Sequence, residues 1–212
     1  MVKNLEETRR VYLVRHGTPV FPGEGRYCIG ITDIPLSREG ENQGRLAGVY
    51  LRAQGVRQCY TSPLLRALDT ARAMDIPLRI HQDLREQHAG IWEGLPFSEI
   101  EKRWPELYAQ RGENPTLPPP GGETLEECAR RFGGAFNEIL AKTQESVAVV
   151  AHLTVIRAFL CGIQQIPMEN IRMLSVSYGS VTRLCWEKGS WKVEEIGRMP
   201  IQGGQSNEKN VP

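Results

Sequence analysis

The chain has 212 residues, of which 40% are hydrophobic and 24% charged, the composition of an ordinary globular protein. Its 26 basic and 25 acidic side chains leave a formal charge of +1, and no basic stripe is interleaved with aromatic residues, so we expect no nucleic-acid partner. No run approaches the ~18 apolar residues of a membrane helix, and the N-terminus lacks the apolar core of a secretory signal. The five scattered cysteines include no C-x-x-C pair, which argues against a disulfide framework and predicts a cytoplasmic protein.

Strand and helix signals alternate along the chain. Apolar, β-rich runs such as VYLVR and SVAVVA indicate strands buried on both faces. Ser37, Ser62 followed by Pro63, and Thr124 with Glu127 three residues later are typical of helix N-termini. In chain order, these signals predict a strand at 11–15, a helix at 37–54, a strand at 56–61, a helix at 62–74, a strand at 79–81, short helices at 98–104 and 106–111, a helix at 124–142, a strand at 146–151, a helix at 154–164, and a hairpin of strands at 180–186 and 191–196.

This alternation predicts the fold class. Strands that alternate with helices favour an α/β protein with three layers, an α/β/α sandwich whose central sheet is mainly parallel and covered by helices on both faces. The final hairpin would add an antiparallel edge. We expect one domain over residues 1–200 and a polar, disordered tail over 201–212.

Two histidines are predicted at the carboxyl ends of strands. His16, in the sequence Arg15-His16-Gly17, follows the first strand, and His152 follows the strand before the helix that starts near Leu153. Ligands of open α/β sheets collect at this edge, and the first amides of that helix would favour an anion. Arg-His-Gly alone would fit a strand-end histidine bonded to backbone beside a solvated arginine. An imidazole at each of two strand ends is harder to explain as packing.

Arg66 falls in the first turn of the helix predicted after Ser62. A cation there opposes the helix dipole, which suggests that a bound anion compensates it. The alternative is a surface arginine paired with Asp69, a contact at i, i+3 that contributes only ~0.2–0.5 kcal/mol. The local sequence leaves both interpretations open.

Four sequence blocks add a family resemblance. The blocks are RHG at 15–17, TSPLLRA at 61–67, LRE at 84–86 with GIWEG at 90–94, and AH at 151–152. In this order they resemble the histidine phosphatase superfamily, the group that includes the phosphoglycerate mutases. The resemblance covers roughly residues 11–164 and implies a phosphoglycerate mutase-like fold. The joint occurrence of the blocks is far more specific than any one of them.

The resemblance implies a role for each matching residue. His16 would be the nucleophile and form a phosphohistidine, while Arg15, Arg66 and His152 would bind the phosphoryl oxygens. Glu86 would donate a proton to the leaving oxygen. These roles are chemically coherent, because phosphoryl transfer develops negative charge on the peripheral oxygens, which guanidinium and imidazolium groups stabilise.

Some of these residues also have alternative interpretations. Without the resemblance, Glu86 would be interpreted as a surface carboxylate paired with Arg85, Lys102 or Arg103. Glu86 and the two histidines could instead hold a metal ion, but the two arginines would repel a dication. We therefore expect no metal and no cofactor.

The implied activity is hydrolysis of a phosphomonoester of a small metabolite. Gln87 follows the acid where mutases of the family usually carry arginine, which favours a phosphatase over the alternative, a phosphoglycerate mutase. The loop at 25–37 is similar to that of α-ribazole phosphatases of cobalamin synthesis, which makes α-ribazole 5′-phosphate a predicted substrate. Arg26 and Tyr27 in this loop are predicted to contact the leaving group, and a solvated loop pair is the alternative.

The sequence departs from the family pattern around the predicted pocket. Thr18, Pro22 and Leu153 replace residues that are common at these positions, although Leu153 would still offer its amide to the substrate. These departures leave open a third function, a non-catalytic module that binds a phosphorylated ligand. The oligomeric state, monomer or homodimer, is not specified by the sequence.

Overall fold

A computed structural model describes residues 9–201 and contains eight strands and six α-helices in that range. The strands are β1 (Arg10–Arg15), β2 (Tyr27–Cys28), β3 (Gln58–Thr61), β4 (Leu78–Ile80), β5 (Leu95–Pro96), β6 (Val147–Ala151), β7 (Val181–Glu187) and β8 (Ser190–Arg198). The helices are α1 (Arg38–Ala53), α2 (Leu65–Ala73), α3 (Phe97–Arg103), α4 (Pro105–Glu113), α5 (Leu125–Lys142) and α6 (Leu153–Gln164).

Six strands form the central sheet in the order β4-β3-β6-β1-β7-β8. The pairings among β4, β3, β6 and β1 are parallel, whereas β7 pairs antiparallel with β1 and with β8. The predicted mainly parallel sheet with an antiparallel edge is confirmed. A separate two-stranded sheet of β2 and β5 was not predicted, because strands of two residues carry no periodicity.

The side chains of β1 show why the fold has three layers. Val11 and Leu13 belong to a core that also contains Phe132 of α5, whereas Tyr12 belongs to a second core with Leu51 of α1. Successive side chains of a strand point to opposite faces, so a strand that is apolar throughout must be covered on both sides. Helices α1 and α2 cover one face of the sheet and helices α5 and α6 cover the other.

The helix starts agree with the sequence in two cases and differ in one. Ser37 and Thr124 cap α1 and α5 with their side chains, as predicted. The prediction that Ser62 caps α2 is wrong, because this helix begins three residues later. The amide of Leu65 donates instead to Oδ1 of Asp33, at 2.7 Å, so a neighbouring loop supplies the cap.

Two predictions concern the ends and the location of the chain. The predicted tail lies outside the described residues except for residue 201, so its disorder stays a prediction, as does the single domain. Within residues 9–201, no helix is long and apolar enough to cross a membrane.

Candidate active site

His16 and His152 lie side by side at one edge of the sheet. β1 and β6 are parallel neighbours, and their register pairs Arg15 with Ala151, so each histidine is the next residue along its strand. The amide of His16 donates to the carbonyl of Ala151 at 3.0 Å, and the two imidazole centroids are 5.0 Å apart. The structure therefore brings together the two histidines that the sequence placed at strand ends.

Burial and one hydrogen bond determine the protonation state of the His16 side chain. Its side chain is 5% exposed, and Nδ1 lies 2.8 Å from the carbonyl oxygen of Gly17. Because a carbonyl only accepts, Nδ1 carries the hydrogen and Nε2 keeps its lone pair. Burial, followed by the charges of Arg66 and Arg15, holds the pKa of His16 well below its usual value. The imidazole is thus neutral and can act as a nucleophile.

The backbone after His16 is pinned between two helices. A Cβ on Gly17 would lie 2.6 Å from Cα of Gly40 in α1, so only glycine allows this approach. The Gly17 amide donates to Oγ1 of Thr70 in α2 at 2.9 Å, and that hydroxyl donates to the Arg66 carbonyl at 2.6 Å. The nucleophile and Arg66 are therefore held by one hydrogen-bonded chain.

Arg66 is an interior arginine. It is 2% exposed, and its Nη1 and Nη2 donate to the carbonyls of Thr32 at 2.9 Å and Gly30 at 2.6 Å. The alternative of a surface pair with Asp69 is wrong, since that carboxylate pairs with Arg72 at 2.8 Å. Carbonyl partners orient the guanidinium without neutralising it, so its charge remains available to an anion.

Arg15 is held by a carbonyl and by an aromatic ring. Its Nη1 donates to the Val176 carbonyl at 2.7 Å, and its Cζ lies 3.7 Å from the ring centroid of Tyr178. Its Nε is buried and has no partner within the described residues. Sequence reasoning missed Tyr178, because it lies beyond the family blocks in a turn that only the folded sheet brings next to β1.

His152 is fully buried and pairs with a serine. Its Nε2 lies 2.7 Å from Oγ of Ser62, whereas its Nδ1 has no partner within residues 9–201. The Ser62 hydroxyl accepts from the Leu64 amide at 3.3 Å, so its own hydrogen is free for Nε2. When this hydroxyl donates to Nε2, Nδ1 of His152 carries the hydrogen and is a donor without an acceptor in the described chain. Such a buried donor is typical of a ligand site.

The charge of His152 differs from the sequence-based expectation of an imidazolium. Burial, followed by the charges of Arg66, His16 and Arg15, holds the pKa of His152 well below its usual value. These surroundings favour the neutral ring over the imidazolium that the sequence predicted. A neutral imidazole can still donate one hydrogen bond from Nδ1 to a phosphoryl oxygen.

Glu86 lies against the N-terminus of α6. Its Oε2 accepts from the Thr154 amide at 3.1 Å, and its Oε1 accepts from the amides of Val155 at 3.3 Å and Gln87 at 2.9 Å. Amides at a helix N-terminus attract the nearest anion, and here it is this carboxylate. The predicted surface pairs do not form within the described chain, where Arg85 pairs with Asp83 and Arg103 with Glu99.

A second carboxylate, that of Glu93, builds the loop that orients Arg66. Its two oxygens accept from the amides of Ile31 at 3.0 Å, Thr32 at 3.0 Å and Ala89 at 2.6 Å. Its Oε2 also accepts from the Thr32 hydroxyl at 2.7 Å. The Thr32 carbonyl is in turn an acceptor for Arg66. In the sequence, Glu93 is recognisable only as part of the GIWEG block, because its structural role becomes visible only in its contacts with the folded loop.

The sequence matches the family model of the histidine phosphatase superfamily (branch 1) over residues 11–198. The chain belongs to the histidine phosphatase superfamily. The match extends the resemblance found in the four blocks to the strands of the final hairpin.

This member of the superfamily has relatives of known sequence and structure. A bifunctional protein of Mycobacterium tuberculosis is 35% identical over 71% of this chain, and the aligned region is 43% of that protein, so the chain spans less than half its length. The phosphatase PhoE of Bacillus subtilis is 30% identical over 87% of this chain and 92% of its own. The structure of Bacillus stearothermophilus YhfR matches with a TM-score of 0.82 and 29% identity over 89% of this chain and 96% of that one. These matches confirm the predicted phosphoglycerate mutase-like fold.

Three further residues, Arg26, Tyr27 and Leu153, were predicted to contact the substrate. Arg26 is exposed, and its Cζ is 5.4 Å from the Phe97 ring centroid, while Tyr27 stacks on Phe21 with centroids 6.1 Å apart. Leu153 is the first residue of α6, and its side chain packs against the core. Their contact with a substrate stays a prediction.

A groove lies beside the loop that carries Glu86. It has a volume of about 510 Å³ and is lined by His88 and Arg85, which flank Glu86 in the chain, but by none of the five predicted catalytic residues. Its other lining residues are Ile31, Gly121, Glu123, Glu127, Arg130 and Arg131. His88 accepts from the Gly90 amide at 3.0 Å through Nδ1. Within the described part of the chain, no three His, Cys, Asp or Glu side chains form a group that could hold a metal ion.

Proposed function

We propose that this histidine phosphatase hydrolyses phosphomonoesters of small metabolites by transferring the phosphoryl group first to Nε2 of His16 and then to water. The observation that carries the proposal is the neutral His16 imidazole with its Nδ1 bonded to Gly17 and its Nε2 unprotonated. Two buried donors without partners in the described chain, Nε of Arg15 and Nδ1 of His152, support a phosphate site beside it. Charged and neutral N–H donors in a dry pocket stabilise developing negative charge strongly.

In the first step, the lone pair of His16 Nε2 forms a bond to phosphorus while the ester P–O bond breaks. The electrons of that bond leave with the ester oxygen, which takes a proton from Glu86. The carboxylate must gain this proton before the reaction. A bound phosphate dianion nearby favours the gain, because two adjacent negative charges repel each other.

In the second step, water attacks the phosphohistidine. Ionised Glu86 accepts the water proton, oxygen bonds to phosphorus, and the N–P bond breaks with its electrons returning to His16. The amides of Thr154 and Val155 hold the carboxylate in place for this role. The full cycle consumes one water molecule and involves no other net gain or loss of electrons or protons.

α-Ribazole 5′-phosphate remains the proposed candidate, on the basis of the loop at 25–37. Gln87 supports hydrolysis over mutase activity: its Nε2 donates to the Glu123 carbonyl at 2.6 Å, and an uncharged amide adds no cation to bind a second anionic group.

The test compares turnover of a chromogenic phosphate ester and of a metabolite panel that includes α-ribazole 5′-phosphate and 3-phosphoglycerate. His16→Ala should lose activity by at least about 1,000-fold, whereas His81→Ala is a matched control because His81 pairs with Glu138 away from the two histidines of the pocket. An acid-labile phosphohistidine should be trapped only when His16 is present. Equal turnover by both variants would refute the mechanism. Tight phosphate binding without turnover would indicate a binding module, and faster interconversion of phosphoglycerates than phosphate release would indicate a mutase.

The role of Glu86 is tested by the leaving group. Glu86→Gln should lower the rate with an alkyl phosphate by about 100-fold or more, because an alkoxide needs a proton to depart. Dephosphorylation of the intermediate must be measured separately, by single turnover, since Glu86 also acts there. Formation of the phosphohistidine from a nitrophenyl ester, whose leaving group is stable without a proton, should be much less affected. An equal loss with both esters would contradict the assignment.

A further inference from the structure

Tyr178 occupies a place in the pocket to which no family block assigns a function. Its ring centroid is 3.7 Å from Cζ of Arg15 and 5.4 Å from the centroid of the His16 ring. His152 lies on His16 as well, with a centroid distance of 5.0 Å. The nucleophile thus has an aromatic contact with each of two residues, one that directly follows β6 and one in the turn before β7.

The turn that carries Tyr178 is bonded directly to the catalytic dipeptide. The Gly179 amide donates to the carbonyls of both Arg15 and His16 at 3.1 Å, and the Arg15 amide donates to the Ser180 carbonyl at 3.1 Å. Gly179 has φ +71°, and a Cβ there would lie 2.6 Å from Cβ of Gln43. The backbone therefore fixes the ring position relative to the two residues that the ring contacts.

Arg15 needs this support more than Arg66 does. Arg66 is oriented by two carbonyls, whereas Arg15 donates to one, that of Val176, and its buried Nε has no partner in the described chain. A single hydrogen bond leaves a guanidinium free to tilt about the donor nitrogen. An aromatic face against the guanidinium plane removes that freedom and attracts the cation electrostatically.

We propose that Tyr178 is a positioning residue for phosphoryl transfer, whose ring clamps the Arg15 guanidinium and one side of the His16 imidazole. The clamp keeps Arg15 aimed at the phosphoryl oxygens and limits rotation of the imidazole. It acts through Arg15 and His16 and does not itself bond to phosphorus. The inference rests on the proposed phosphoryl transfer at His16.

The test separates the ring from the hydroxyl and from general packing. Tyr178→Phe keeps the aromatic face and should stay within about 3-fold of the parent in kcat/KM. Tyr178→Leu removes it and should lose about 10-fold, in the range expected for a desolvated cation–π contact. Tyr50→Leu is the matched control, because it removes another tyrosine that stacks on an arginine, Arg198, with Cζ 5.3 Å from the ring centroid. Melting temperatures identify any loss due to unfolding, and Tyr178→Met replaces the leucine variant if that variant does not fold.

Two further readouts distinguish positioning from a structural role. Affinity for vanadate, which mimics the trigonal-bipyramidal transition state, should fall more in Tyr178→Leu than affinity for inorganic phosphate. In an Arg15→Lys background, Tyr178→Leu should lower kcat/KM by less than 3-fold, since the guanidinium that Tyr178 supports is absent. A leucine variant equal to the parent, equal losses in the phenylalanine and leucine variants, or losses that add fully to Arg15→Lys would each overturn the proposal. If the parent turns over no ester, the proposed function fails, but phosphate and vanadate affinities still test the clamp.

Discussion

Glu93 allows a quantitative prediction that connects a sequence block to the phosphate site. Its carboxylate accepts four hydrogen bonds, two at Oε1 from Ile31 and Ala89 and two at Oε2 from the amide and hydroxyl of Thr32. In Glu93→Gln, one oxygen becomes an amide that cannot accept. The least costly arrangement puts this amide toward Thr32, whose hydroxyl can rotate to accept, while the Thr32 N–H keeps only its bond to the Ile29 carbonyl at 2.8 Å.

The expected loss of stability follows from this count. A hydrogen bond to a charged acceptor contributes ~1.5–3 kcal/mol and a neutral one ~0.5–1.5 kcal/mol. One charge-assisted bond is lost, the other three become neutral, and the side chain is only half-buried, so Glu93→Gln should destabilise the protein by about 2–4 kcal/mol. Because the Thr32 carbonyl then moves more freely, Arg66 is less well held, and inorganic phosphate should bind about 10-fold more weakly.

Denaturant unfolding and phosphate titration measure the two effects. Glu99→Gln is the control, because within residues 9–201 this carboxylate pairs only with Arg103, on the surface, with side-chain exposures of 34% and 53%. Such an exposed pair contributes ~0.2–1 kcal/mol, so the control substitution should hardly change the free energy of unfolding or the affinity for phosphate. If Glu93→Gln is as stable as the control, or if it is destabilised but binds phosphate normally, the proposed link from Glu93 to Arg66 is wrong.

Three further changes test other parts of the site. Gly17→Ala should lower stability by about 1–3 kcal/mol or more in thermal unfolding, since its Cβ meets Gly40; an unchanged melting temperature would contradict the close approach. Ser62→Ala removes the donor to His152 Nε2 and should lower kcat about 10-fold with the fold retained by circular dichroism, whereas unchanged kinetics would exclude control of the tautomer by Ser62. Burial and Arg66 lower the pKa of His16 and His152, so below about pH 6.5 the unfolded chain binds more protons than the folded chain. The free energy of unfolding should therefore be unaffected above that pH. Below it, the free energy of unfolding should fall by up to ~1.4 kcal/mol per pH unit for each histidine. Denaturant unfolding across pH should show a smaller slope in His152→Asn, and an equal slope would refute the assignment.

Much of the fold was predictable because its signals are local. The apolar runs of β1 and β6 and the capping residues Ser37 and Thr124 mark elements by periodicity and by hydrogen bonds within a few residues. Ser62 misled the prediction for a physical reason. A serine before a proline fits an N-cap, but here its hydroxyl lies 2.7 Å from His152, which is 90 residues away in sequence. A local pattern cannot show which of two partners a hydroxyl will take.

The site, like the fold, was predictable where its signals are local and unpredictable where they depend on long-range contacts. Four of the five predicted catalytic residues lie at a strand end or in the first turn of a helix, Glu86 lies in a loop, and the family blocks give all five their roles. What orients them was not predictable, because the acceptors of Arg66 and Arg15 are backbone carbonyls of Gly30, Thr32 and Val176, and any residue type has such a carbonyl. Only the folded loops show which carbonyls are used.

The choice of carbonyls as partners determines the charge of the pocket. Arg15 and Arg66 keep their full charges, whereas both imidazoles are neutral because burial and the two guanidiniums lower their pKa values. Burial lowers the pKa of both arginines, and Tyr178 and Glu86 oppose that lowering at each of them, joined at Arg66 by Asp33 and Glu93. With Glu86 ionised, the two guanidiniums exceed it by one charge. With Glu86 protonated, they match a phosphate dianion.

Binding of a dianion should therefore be accompanied by uptake of a proton at Glu86, which would load the acid needed for the first step. The uptake can be measured by titrating inorganic phosphate calorimetrically in two buffers of different ionisation enthalpy. At one pH, the parent should take up more protons than Glu86→Gln, by as much as one per site, and the variant should show a weaker decline of affinity with rising pH. Glu99→Gln should match the parent. Equal uptake by parent and variant would mean that Glu86 keeps its hydrogen bonds to the amides of Thr154 and Val155 in the complex, and the proton donor would then have to be another group.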